Sequence, residues 1–285
     1  MISIPAAVDP AALKKQFDLS YQIDTLLNLN RLFAIRGCKV LEIGGALPSE
    51  LVNGVFGAAT WIAVDDRSAY LKVMGKAGPD DVSRPVAQFA PEDLRFGWQS
   101  FDGRGHDVPT WADGRFDLIV SLATLEHVSA LPRLMGRMRS LVRPGGAVWC
   151  LVGPIWSGYR GYHVYGNYFA PYSGKTAAFL KEAEPWQHLL MDSMEFYKWL
   201  HSRWGAEFAD LAHSSIFESP RLNRLMFPDY QAAFAFSGLR TEAFQPWALP
   251  MPSQLHFERV QARFPQQRGF EIDGFEILLR RQSSS

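Results

Sequence analysis

Phe116-Asp117-Leu118-Ile119-Val120-Ser121-Leu122-Ala123-Thr124-Leu125-Glu126-His127-Val128 reads as a buried strand that ends in a polar turn. The pattern then changes period: over Leu131–Leu141 the apolar residues fall three and four apart, which predicts a helix. Arg143-Pro144-Gly145-Gly146 turns the chain into a second apolar run, Ala147-Val148-Trp149-Cys150-Leu151-Val152. The same alternation recurs toward the N-terminus. Trp61-Ile62-Ala63-Val64 closes on Asp65-Asp66, and Lys39-Val40-Leu41-Glu42-Ile43 closes on Gly44-Gly45. Apolar runs separated by helical stretches predict a parallel sheet covered on both faces, because strands buried on both sides lose the polar alternation. Such sheets bind ligands outside the carboxyl ends of their strands.

Around this core the pattern varies. Residues 13–33 carry Leu13, Phe17, Tyr21, Ile23, Leu26 and Leu29 at mostly helical spacing, with Asp18 or Ser20 as a cap inside the stretch. Pro48 suits the first turn of a helix after the glycines. Beyond Gly153 the rhythm is lost in a segment rich in aromatics, Gly and Pro, with helical patches over Ser193–Trp204 and 219–236. It returns at 238–244 and 270–279, which read as paired strands closing the sheet. The expected organisation is one domain: an N-terminal helical cap (1–36), a core (37–152), an insertion (153–236) and closing strands (237–281).

Composition bounds the function. The 285 residues carry 29 Lys+Arg against 29 Asp+Glu, with 47% apolar, 20% charged and 13% aromatic residues. Those shares belong to a folded domain, and charge balance argues against a broad basic face for nucleic acid. No apolar run is long enough for a membrane span, and the first residues lack the layout of a signal peptide. Cys38 and Cys150 are too few for a disulfide framework, so a reducing cytoplasm is the expected compartment. Nothing in the sequence fixes the oligomeric state.

Glu42-Ile43-Gly44-Gly45-Ala46 at one strand end and Asp65 at the next make a nucleotide-type site. Small residues let backbone N–H groups approach a ligand, and a carboxylate at the second strand can bind a ribose diol. Ala46 and Ser49 stand where a dinucleotide fingerprint needs glycine, which weighs against NAD or FAD.

The combination of Val40–Gly45, Ala63-Val64-Asp65, Phe116–Val128 and Leu141-Val142-Arg143-Pro144-Gly145-Gly146 closely resembles the class I S-adenosylmethionine-dependent methyltransferases. That resemblance implies a Rossmann-like, doubly wound, mostly parallel seven-stranded sheet with an antiparallel last strand, here carrying a helical, aromatic insertion. It implies S-adenosylmethionine as cofactor. Gly44, Gly45 and Ala46 would line its methionine end, with Glu42 positioning its amino group or the loop; Asp65 would hold the ribose, with Asp66 assisting or simply solvated; and Ser121 and Leu122 would pass the methionine and sulfonium. For the adenine-side polar residue the candidates are Glu92 and Asp93, with Asp102 as rival. Ala46 and Pro48 depart from the family's glycines.

The insertion leaves the sheet at its ligand edge, so its aromatics are candidate acceptor contacts: Trp156, Tyr159, Tyr162 and Trp186. Packing within an irregular insertion is the competing account of each. Gly153-Pro154-Ile155-Trp156-Ser157 with Pro185-Trp186-Gln187-His188 is similar to methyltransferases of surface-polysaccharide and other glycan pathways. The expected reaction is O-methylation of a small molecule or sugar, with a His base, since the imidazole titrates near working pH. His163 and His188 are the candidates, with His127 a third; Glu126 could reach the pocket mouth but reads first as a solvated helix carboxylate. N- or C-methylation and a non-catalytic, partner-binding subunit remain alternatives. A nucleic-acid substrate is disfavoured further by Ser121–Thr124, which is no Asn/Asp-Pro-Pro-aromatic motif. No metal cluster is expected; His188 and Asp192 share a helical spacing that is common by chance.

Overall fold

Each apolar run of the core becomes a strand with its alternate residues on opposite faces. In the computed structural model, which describes residues 9–66, 83–164, 172–247 and 251–283, eight described strands form one sheet. They are β1 Lys39–Ile43, β2 Thr60–Asp65, β3 Arg84–Pro85, β4 Trp98–Asp102, β5 Phe116–Leu122, β6 Val142–Val152, β7 Arg240–Pro246 and β8 Phe275–Arg280. Their order is β3-β4-β2-β1-β5-β6-β8-β7, with β8 antiparallel to both neighbours and the other pairings parallel. The expected seven strands are present, and the two-residue β3 adds an eighth at the edge.

The two faces explain why the strands read as continuous apolar runs. Leu41, Ile43, Ile62, Ile119, Val148 and Cys150 join the helix Leu131–Leu141 in one cluster. Val40, Trp61, Leu118, Val120 and Trp149 join Ile23, Leu26 and Leu29 of the N-terminal helices in the other. Those helices are Pro10–Phe17 and Tyr21–Leu32, separated where Asp18 takes a left-handed φ of 52°. Between β5 and β6 the register shifts at Phe116/Leu118, beside Gly146, where a Cβ would lie 2.7 Å from the Asp117 carbonyl.

The insertion builds a third cluster of its own, including Trp156, Tyr162, Phe179, Trp186, Phe196 and Phe208. Val260 of the helix Gln254–Arg263 and Phe270, both from beyond residue 236, complete it. The helix expected over 219–236 is shorter, Phe227–Phe236: Arg224 has a left-handed φ of 54° and Pro228 sits in the first turn, so the residues before it stay irregular. No described helix is long and apolar enough to cross a membrane.

Candidate functional site

The carboxyl ends of β1 and β5 are stitched together. Gly44 has φ +85°, and a Cβ there would lie 2.0 Å from Thr124 Cγ2, so only glycine fits. Thr124 Oγ1 lies 3.0 Å from both the Gly44 and Leu122 carbonyls, and Ser121 donates to the Ile43 carbonyl at 3.0 Å. Behind the turn, Glu42 Oε2 accepts from Leu47 N–H (3.0 Å) and Trp61 Nε1–H (2.7 Å). Burial pushes this carboxyl up to about 7, against the pull of both hydrogen bonds. The family departures leave the turn intact. Ala46 is exposed, and the Pro48 carbonyl accepts from Leu51 and Val52 to open a wide π-type turn over Glu50–Val55.

Asp65 and Asp102 end β2 and β4 and are direct register partners, both half-buried at the ligand edge; Asp66 beside them is exposed. The adenine-side expectation of Glu92 and Asp93 is corrected by this register. Those residues lie in the turn Pro91–Arg95 that enters the amino end of β4, where the Leu94 carbonyl accepts from Thr60 at the start of β2. Asp93 is buried there on Arg84 (2.6 Å) and the Ala90 N–H (2.9 Å), and Glu92 faces solvent. Asp102, the rival, stands at the carboxyl edge beside Asp65.

The three histidines separate. His127 and His163 leave β5 and β6 with ring centres 5.2 Å apart, edge to face. His127 Nδ1 pairs with the Arg221 carbonyl at 2.9 Å, and His163 Nε2 with the Pro154 carbonyl, so each ring donates to backbone and carries its lone pair on the other nitrogen. Burial and the neighbouring His127 push His163 down to about 3, and His127 also lies below its ordinary value through desolvation. His188 is buried against Trp156 (4.6 Å) within the insertion cluster, donates to the Trp156 carbonyl at 2.8 Å and is pushed down to about 4 by burial. It lies within electrostatic reach of His163, whose value it helps to lower, but is itself enclosed by the insertion cluster.

Most of the aromatic candidates pack the insertion. Trp186 is fully buried and its indole N–H points at the Ser157 and Phe270 carbonyls (3.0 and 3.1 Å), which corrects its assignment as an acceptor contact. Tyr162 and Trp156 are buried against Phe179 and Phe217. Tyr159 alone of the four stays half-buried, with the Arg160 guanidinium 5.0 Å over its ring. Tyr165 and Tyr168 of the same tyrosine-rich stretch lie outside the described residues.

Glu126 is the residue sequence reasoning placed wrongly. Its side chain is buried rather than solvated. Oε1 accepts one long hydrogen bond from the Gly153 N–H (3.3 Å), where β6 ends, and Oε2 has no partner. Burial pushes this carboxyl up to about 8. Asp192, which shares a spacing with His188, caps the helix Ser193–Trp204. No three His, Cys, Asp or Glu side chains gather as a metal site among the described residues.

The model of a methyltransferase-domain family matches residues 18–228 of the chain. No curated protein matches it significantly in sequence. Among solved structures it is similar to an S-adenosylmethionine-dependent methyltransferase from Mesorhizobium loti (12% identity, 93% of this chain and 100% of that one, TM-score 0.47). It is also similar to geranyl diphosphate C-methyltransferase from Streptomyces coelicolor A3(2) (11% identity, 97% and 85% coverage, TM-score 0.46).

Proposed function

The chain belongs to the S-adenosylmethionine-dependent methyltransferase-domain family, and from that premise we propose that it methylates a hydroxyl of a small molecule or sugar precursor. The residues present fit the cofactor. The Gly44–Gly45 turn leaves a cradle that a Cβ would fill, and Asp65 and Asp102 put two carboxylates side by side at the ligand edge. Asp65 would hold the ribose, Asp102 the adenine side, and Gly44, Gly45 and Ala46, braced by Glu42, the methionine end. When bound, S-adenosylmethionine supplies an activated methyl group on a sulfonium, so the protein's part is alignment and proton handling.

The observation that carries the hydroxyl reading is the pair of neutral histidines, His127 and His163, in the segments that leave β5 and β6. A neutral amine attacks through its lone pair, whereas a hydroxyl must lose a proton as its new bond forms, and a neutral imidazole can take it. His127 is the better placed, because the Arg221 carbonyl fixes its tautomer with Nε2 as the basic nitrogen and the residue is exposed at the rim. The separate insertion cluster supports reading 153–236 as a cover on a single domain.

Methyl-labelled S-adenosylmethionine offered with a panel of phenols and nucleotide sugars tests this. Label should enter a hydroxyl, and His127→Ala should cut turnover by about 10²–10⁴ with cofactor affinity kept. Label found only on nitrogen or carbon acceptors, or His127→Ala turning over normally, would refute it.

A further inference from the structure

A carboxyl buried without a cation in a site that takes a cationic ligand has an evident use. Glu126 lies two residues beyond Thr124, whose hydroxyl touches the Gly44 carbonyl, and its Oε1 meets the first N–H past β6. It therefore sits over the carboxyl ends of β5 and β6, beside the glycine turn. Its Oε2 is buried and unpartnered, although buried acceptors are ordinarily paired. We propose that Glu126 is the counter-ion of the cofactor's sulfonium, ionising when S-adenosylmethionine binds and so distinguishing it from neutral S-adenosylhomocysteine. This rests on the cofactor reading above.

Among the described residues, the titratable groups within electrostatic reach of Glu126 are Tyr21 on the helix Tyr21–Leu32, Cys150 on β6 and Tyr230 on the helix Phe227–Phe236. All three are pushed up, chiefly by burial, and stay neutral at pH 7. On its own turn, His127 is pushed down and is neutral as well. With no cation among the described residues to offset burial, the carboxyl holds its proton up to about pH 8. A cation brought alongside would lower that value by about one to three units. By reciprocity, the ionised protein binds S-adenosylmethionine about 10- to 1000-fold more tightly than the protonated one. The proton goes to solvent. Affinity for S-adenosylmethionine thus rises with pH up to about 8 and is level above it, and this component is missing for S-adenosylhomocysteine.

Glu42 gives no such difference. It lies behind the methionine end, where both ligands carry the same amino group, so its contribution cancels between them.

The test is titration calorimetry of the full chain with each ligand, in two buffers of different ionisation heat, at pH 7 and again well above pH 8. At pH 7 S-adenosylmethionine should release about 0.4 to 0.9 of a proton more than S-adenosylhomocysteine, according to whether the shift is one unit or three. The excess should vanish at the higher pH, and at pH 7 in Glu126→Gln. Equal proton release by the two ligands in the unmodified protein overturns the proposal without any variant, as does an excess that survives Glu126→Gln. Absence of any S-adenosylmethionine binding would sink the cofactor reading itself, a result readily told apart from binding without the proton difference.

Discussion

Two buried carboxyls are treated in opposite ways. Asp273, under the root of the insertion, accepts from the Arg160 guanidinium (2.9 and 3.3 Å) and from the Arg160 N–H (3.2 Å). Glu126, at the ligand edge, has one long hydrogen bond and an unpartnered oxygen. The first clamps the turn that opens the insertion, whose aromatics then fill one another's gaps. The second keeps capacity for something the protein does not itself provide. The insertion root is built for stability and the crevice for a ligand, and that division can be broken experimentally.

The largest expected effect lies in the insertion. Trp186→Ala removes a fully buried indole whose N–H points at two carbonyls, and should cost about 3–5 kcal/mol in chemical denaturation. S-adenosylmethionine affinity of the protein that remains folded should be unchanged. A parallel loss of affinity would show that the insertion core shapes the crevice directly.

An effect of comparable total size separates the crevice by its pH dependence. Glu126 titrates near 4.5 when unfolded but near 8 when folded, so the native state holds a proton that the unfolded chain has lost across that interval. Stability should therefore fall as pH rises from about 4.5 to about 8 and be level beyond, on the order of 1 kcal/mol per pH unit. His163 and His188 act in the opposite sense, since their folded values lie below the ordinary 6.5 and favour the native state as pH rises toward it. Comparing the protein with Glu126→Gln cancels them. The difference in unfolding free energy should shrink with falling pH, and a constant difference would contradict a buried, uncompensated carboxyl.

The core was legible because its signals are local. A strand, its closing glycines or aspartate, and the next helix lie within a few tens of residues, so the turn at Gly44, Asp65 at the end of β2 and the β5 turn could be read directly. Strand β4 was not legible: Trp98-Gln99-Ser100-Phe101-Asp102 pairs near the sheet edge, only Phe101 is buried, and no apolar run marks it. Without it, carboxylates before and after the strand could not be told apart, and Glu92-Asp93, at the amino end, was read as the adenine-side pair ahead of Asp102 at the carboxyl end. Glu126 was misread for a different reason. Its cover comes from far along the chain, where the Asn223 N–H reaches the Glu126 carbonyl (3.0 Å) and the Asn223 side chain takes the Leu125 carbonyl (2.7 Å). Periodicity carries no trace of such contacts. For the aromatics, composition could announce a cluster but not whether it faces a ligand or itself.

The central claim is that S-adenosylmethionine sits at the carboxyl edge with its ribose on Asp65, and titration calorimetry of Asp65→Ala beside Glu92→Ala tests it most directly. Asp65→Ala should lose about 2–4 kcal/mol of binding free energy, the loss of one or two charge-assisted hydrogen bonds, while Glu92→Ala, at the opposite edge, binds as the unmodified protein does. Unchanged affinity in Asp65→Ala, or an equal loss in Glu92→Ala, would contradict it.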